Sequence, residues 1–156
     1  MSHFWNNAIT EHQQAILSLW MERLLVLYGG KIAANSFVTD SLSKALADVL
    51  HYGGKECNEL SEALKDVTCI LAVQAMPPSQ TLALFFELPA VLRDYAVKGA
   101  PKQLLKESDM DALQKRLEEL TLKAFDSYMM HRETISQLKV DEMKRQLFMQ
   151  LRRAEA

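Results

Sequence analysis

The stretch Val67–Phe86, VTCILAVQAMPPSQTLALFF, runs twenty residues without a charged side chain and carries two adjacent prolines in its middle. Three readings compete for it: a membrane span, a buried helical hairpin, and the wall of a ligand pocket. A span needs about twenty apolar residues in unbroken helix. Here two runs of roughly ten meet at Pro77-Pro78-Ser79-Gln80, with Gln74 and Thr81 beside them. Neither proline donates a backbone hydrogen bond, and each disfavours helical geometry in the residue before it. Pro78 can open a new helix, where a missing donor costs nothing. The stretch therefore reads as a buried hairpin.

Working outward, the segment from Asn58 to Ala75 begins amphipathic, with Leu60, Leu64 and Val67 on one face, and then turns apolar nearly all round through CILAVQA. That pattern is expected of a helix end buried inside the domain. Downstream, TLALFFELPAVLRDYAV contains Pro89, which should kink the helix or divide it. Towards the N-terminus, Ile9, Ile16, Trp20, Leu24 and Leu27 share one face, and Leu42, Leu46, Val49 and Leu50 share another. These segments end at LYGGK (Leu27–Lys31) and HYGGK (His51–Lys55), where each Gly-Gly is expected to supply the positive φ of a helix C-terminus. The two endings are too few to indicate a repeat protein. Thr10 with Gln13, and Ser108 with Asp111, have capping-box spacing.

After the loop KGAPKQLLKE, the remainder reads as one helix of about forty residues, near 60 Å long. Its seam runs Leu113, Leu117, Leu120, Ala124, Tyr128, His131, Ile135, Leu138, and Met143, Leu147 and Leu151 continue at intervals of four. A domain of this size does not cover so long a helix, so its last third, about 139–156, is expected to project or to pack on a partner. β-type alternation is absent. The predicted fold class is all-α: a single helical bundle of five or six helices with a long C-terminal helix, globin-like packing being one arrangement open to it.

Composition agrees with one self-sufficient domain. The 156 residues are 49% hydrophobic and 24% charged, an ordinary globular balance. A net charge of −2 gives no electrostatic reason to expect nucleic acid or an anionic membrane as partner. Basic residues gather at the C-terminus (Lys139, Lys144, Arg145, Arg152, Arg153), which reads as a solvated helix end with cations near its negative pole. Cys57 and Cys69 lie twelve residues apart, about 18 Å along a helix and too far for a disulfide. They are expected to be reduced, buried thiols of a cytoplasmic protein, and MSHFWNNAITEHQQ lacks the basic and apolar regions of a secretory signal.

No catalytic motif is present: no Walker A glycine precedes Gly30-Lys31 or Gly54-Lys55, and there is no G-x-S-x-G, H-E-x-x-H or C-x-x-C. His3, His12, His51 and His131 are scattered, and none has metal-ligand spacing. His12 and His131 read as boundary histidines, and His51 as a helix C-terminal cation. Phosphotransfer at His51 or His131 is a weak alternative, since only His51 has a lysine closely downstream (Lys55) and it sits at a helix end. The eight methionines form no metal box and read as gap-filling core. No catalytic residue, metal or cofactor is expected.

Two stretches resemble the RsbRD N-terminal domain family, the helical sensor-like module found before the STAS domain in some co-antagonists of the general-stress sigma factor pathway. The first is AVQAMPPSQTLALFFELPAVLRD, with Ala72-Val73-Gln74 and Pro78-Ser79-Gln80. The second is LKAFDSYMMHRETISQLKVDEMKRQ, with Phe125-Asp126, Tyr128, Arg132-Glu133, Val140, Glu142, Lys144 and Arg145. The likeness, including Trp20 and Leu24 early on, extends over nearly the whole chain. The chain departs from the family at Ser36–Thr39, where the family has an Asn-Pro-Val-Gly-like turn, and at Cys69 and Leu71, where it often has arginines. The resemblance implies a free-standing, non-enzymatic cytoplasmic regulatory or sensory module without a STAS domain.

Polar groups in an apolar hairpin must find partners. Gln74, Pro78, Ser79 and Gln80, with Asp126, Tyr128, Arg132 and Glu133 on the long helix, are therefore the candidate polar lock or ligand site; the expected bond joins Gln74 and the turn to Asp126. Val140, Glu142, Lys144, Arg145, Leu147 and Leu151 are the candidate partner-binding helix end. The expected partner is a protein, or a second copy through that end, with no nucleic acid and no membrane span. A small-ligand or haem sensor is the alternative.

Overall fold

The computed structural model describes residues 5–6, 8–33, 36–97 and 107–155. His3 and residues 98–106 of the predicted loop lie outside them. Six α-helices are described: α1 (Gln13–Leu27), α2 (Phe37–Tyr52), α3 (Asn58–Val73), α4 (Pro78–Phe86), α5 (Leu88–Val97) and α6 (Glu107–Glu155). No strand occurs among the described residues, and no described helix is long and apolar enough to cross a membrane.

The helix boundaries follow local chemistry. Pro78 stands at the start of α4, and the chain divides between Phe86 and Leu88, where Pro89 forms the second position of α5. Ser36 caps α2 by accepting the Thr39 N–H at 3.1 Å, so Ser36–Thr39 makes an ordinary N-cap. The Thr10–Gln13 capping box does not form. Thr10–His12 makes a 3-10 turn, Thr10 Oγ1 is buried without a partner, and Gln13 Nε2 instead donates to the Ala47 carbonyl at 3.0 Å. Ser108 and Asp111 both fall inside α6.

The two Gly-Gly endings differ. Gly29 and Gly30 adopt φ of +56° and +86°, as expected. Gly53 has φ −66°, so positive φ does not explain the second pair. Trp5 does: a Cβ on Gly53 or Gly54 would come within 3.0 Å of its indole. The indole Nε1 donates to Leu50 O at 2.7 Å, pinning the N-terminal segment against the end of α2.

Positive φ recurs at Ala75 (+56°), just past α3. Met76 N donates to Leu71 O and Ala75 N to Ala72 O, both at 3.0 Å, the paired bonds of a Schellman ending that usually takes glycine. Ala75→Gly should relieve a left-handed cost of about 1–2 kcal/mol, partly offset by about 0.5–1 kcal/mol of added unfolded-state entropy. Urea titration should give unchanged or slightly greater stability, whereas Ala75→Val should lower it.

One core joins the elements. α2 packs mainly on α3, α3 on α6, α1 on α2 and α5, and α4 on α6. Ile9, Ile16, Trp20, Leu24, Leu42, Leu46, Val49 and Leu50 are buried as read, and Leu27 is half-buried. Trp20 Nε1 donates to Leu84 O at 2.9 Å, tying α1 to α4. Within the opening stretch, Val67, Leu71, Met76, Leu84 and Phe85 are buried, but Cys69, Val73 and Gln74 face solvent. The end of α3 is thus amphipathic rather than buried all round, because its neighbours α2 and α6 cover only part of its circumference. Cys69 is accordingly an exposed thiol and Cys57 a half-buried one, and both are free, which corrects the expectation of buried thiols.

Candidate functional site

The long helix is fastened to the body at two places. Near its start, Arg116, 5% exposed, donates from Nε to Gly53 O at 2.7 Å and from Nη1 to Glu56 at 2.9 Å and Glu119 at 2.8 Å. Lys123 pairs with the other oxygen of Glu56. Three turns on, the buried Tyr128 hydroxyl donates to Met76 O, and Ser127 and Thr68 share a hydroxyl hydrogen bond of 2.8 Å. Arg132 Nη1 reaches Ala72 O at 3.4 Å. The Met76 carbonyl, past the end of α3, takes its donor from α6, and Ala72 O, which already accepts the Ala75 N–H, gains a second donor from it.

Of the proposed lock residues, the structure brings Tyr128 and Arg132 to the hairpin and leaves the others out. Gln74, Pro78, Ser79, Asp126 and Glu133 are exposed, and half-buried Gln80 accepts from Lys31 Nζ at 3.0 Å. The Gln74–Asp126 bond is not formed. The Schellman turn carries Gln74 to solvent, and at about 100° per residue Asp126 lies roughly opposite the buried side of α6. Arg116, Thr68 and Ser127 were not singled out from sequence. Arg116 did leave a trace: an arginine between Leu113 and Leu117, beside a seam that otherwise excludes charge.

Burial on the seam continues through Tyr128 and ends at half-buried His131 and Ile135; Leu138 is 63% exposed. From Ser136 to Glu155 every residue is exposed, including Val140, Glu142, Lys144, Arg145, Leu147 and Leu151. Polar contacts there stay within the helix, as in Gln137–Asp141 (2.9 Å) and Arg145–Glu142 (2.5 Å). Met143, Leu147 and Leu151 do not extend the seam. The step from Leu138 to Met143 is five residues, which turns the apolar side by about 140°. The new side is the one from which Leu122, Phe125 and Met129, all exposed, already project from the body. The outer face of α6 thus carries one interrupted apolar ridge from Leu122 to Leu151.

Among the described residues, other groups form no comparable site. His12 Nδ1 and the Tyr95 hydroxyl share a hydrogen bond of 3.0 Å, and exposed His51 stacks edge-on against Tyr52. The buried Nε2 of His131 has no partner. Burial raises the Tyr28 hydroxyl above its ordinary pKa, keeping it neutral. No three His, Cys, Asp or Glu side chains converge as a metal site among the described residues.

No family model and no solved structure matches the chain. A protein of Archaeoglobus fulgidus, described as an uncharacterized protein, is 31% identical over 141 residues, covering 88% of both chains. The chain therefore belongs to the same family as this archaeal protein.

Proposed function

We propose that the protein is a non-enzymatic regulatory or sensory module that works in the cytoplasm by binding a protein partner through the exposed part of α6. The observation supporting this reading is the ridge. Exposed apolar surface gathered on one face marks an interaction site, and here it lies on a rigid helix held at two fastenings. No described residue of the body covers Ser136–Glu155, so this length of helix has no tertiary packing to support it. A partner would supply the missing burial. The resemblance to RsbRD N-terminal domains supports the same job, since in multidomain relatives this helix leads into the output domain.

The test compares affinity capture by the full chain with capture by a chain ended after Leu138. The shorter chain should keep its melting temperature to within a few degrees, because the removed residues bury nothing in the body. Specific partners should disappear from it. Partners retained by the shorter chain would move the contact off the helix end, and a full chain that captures none would overturn the reading.

A further inference from the structure

We propose that the ridge is covered by a second copy of the chain, set antiparallel, with the projecting half of each ridge lying on the body half of the other. The inference deepens the proposed function and rests on the same surface. Area is its first support. Nine exposed apolar side chains occupy the ridge and its edge between Leu122 and Leu151. If each buries about 60–80 Å², most of what its exposure leaves available, a pair of copies covers roughly 1,100–1,400 Å², which reaches the size of a stable interface. Pairing only the projecting halves would cover about half that and leave Leu122, Phe125 and Met129 in water.

Charge is the second support, and it selects the direction. The body half of the ridge is edged by acids, Asp126 and Glu133, whereas the projecting half carries Lys144. An antiparallel pair with its two-fold axis beside Ser136 and Gln137 sets Leu151 against Leu122 of the other copy and Phe148 against Phe125. Lys144 then falls opposite Met129, with Asp126 and Glu133 of the other copy one turn to either side. A parallel pair would instead bring Lys139 against Lys144 across the seam, like charges at the positions that set partner orientation.

Sedimentation equilibrium of the full chain should give twice 17.7 kDa. Lys144→Glu, at an exposed site that leaves folding alone, should weaken self-association at least tenfold, and adding Asp126→Lys and Glu133→Lys should restore it. Direction is read by cross-linking in a Cys57→Ser, Cys69→Ser background. Leu122→Cys mixed with Leu151→Cys should form a disulfide dimer, and neither variant alone should, because like positions lie about 44 Å apart in this arrangement. A monomer at about 100 μM, a Leu151→Cys chain that cross-links with itself, or a dimer indifferent to Lys144→Glu would overturn the proposal. A monomer that still captures partners through α6 would overturn this pairing and leave the proposed function standing. A cross-linked antiparallel dimer that captures nothing else would do the reverse.

Discussion

Tyr128→Ala should lower the stability of the fold by about 3–5 kcal/mol, the range for emptying a buried aromatic site. The side chain is 1% exposed and lies where α6 crosses the end of α3, so no solvent reaches the cavity that its loss creates. Tyr128→Phe separates the ring from the hydroxyl. It keeps the packing and leaves the Met76 carbonyl without its donor, which should cost about 1–3 kcal/mol. In a chain of this length each kcal/mol moves Tm by about 2–4 °C, so both variants are measurable by thermal melting with urea titration as a second readout. A Tyr128→Phe chain as stable as the original would show that the hydroxyl contributes nothing and that the second fastening is packing alone.

Gly53→Ala should cost about 2–4 kcal/mol for a different reason. The backbone there is ordinary right-handed helix, which alanine prefers, so propensity alone predicts a gain. Space predicts the opposite: the new Cβ would lie 2.5 Å from the Val49 carbonyl oxygen and under 3.0 Å from the Trp5 ring. The ring cannot swing away freely, because its N–H is bonded to Leu50 O. Gly29→Ala meets no atom within 4 Å and should cost only the left-handed penalty of about 1–2 kcal/mol. If the indole is the obstacle, Gly53→Ala should cost at least about 1 kcal/mol less in a Trp5→Ala background. Strictly additive losses would exclude that explanation.

These two sites mark where the sequence was legible and where it was not. Helices were legible because prolines and three-to-four spacing act locally: Pro78 and Pro89 bound α4 and α5 as their missing donors require. Gly53 was misread because its constraint comes from Trp5, 48 residues earlier, whereas its twin Gly29 obeys the local rule. The lock was placed in the correct region and included Tyr128 and Arg132, but its expected bond, Gln74 to Asp126, is not the one formed. Gln74 drew attention as a polar residue in an apolar run, yet a helix-ending turn decides where it points. Tyr128, read both as a seam residue and as a candidate lock residue, carries the bond. Arg116 could not be paired in advance, since Gly53 and Glu56 lie sixty or more residues away. The change of apolar side after Leu138 was available from counting residues alone.

The spacing of the two fastenings gives α6 a mechanical ratio. Arg116 and Tyr128 are twelve residues apart, about 18 Å of helix, while Glu155 lies about 58 Å from Arg116. A stiff rod pivoting at Arg116 magnifies sideways displacement at Tyr128 about threefold at its tip. A 1 Å adjustment where Tyr128 meets the Met76 carbonyl would therefore swing the far end by about 3 Å, close to the width of an atom. The proline-broken hairpin is the short arm's resting point, and small changes in its packing are magnified at the end of a lever.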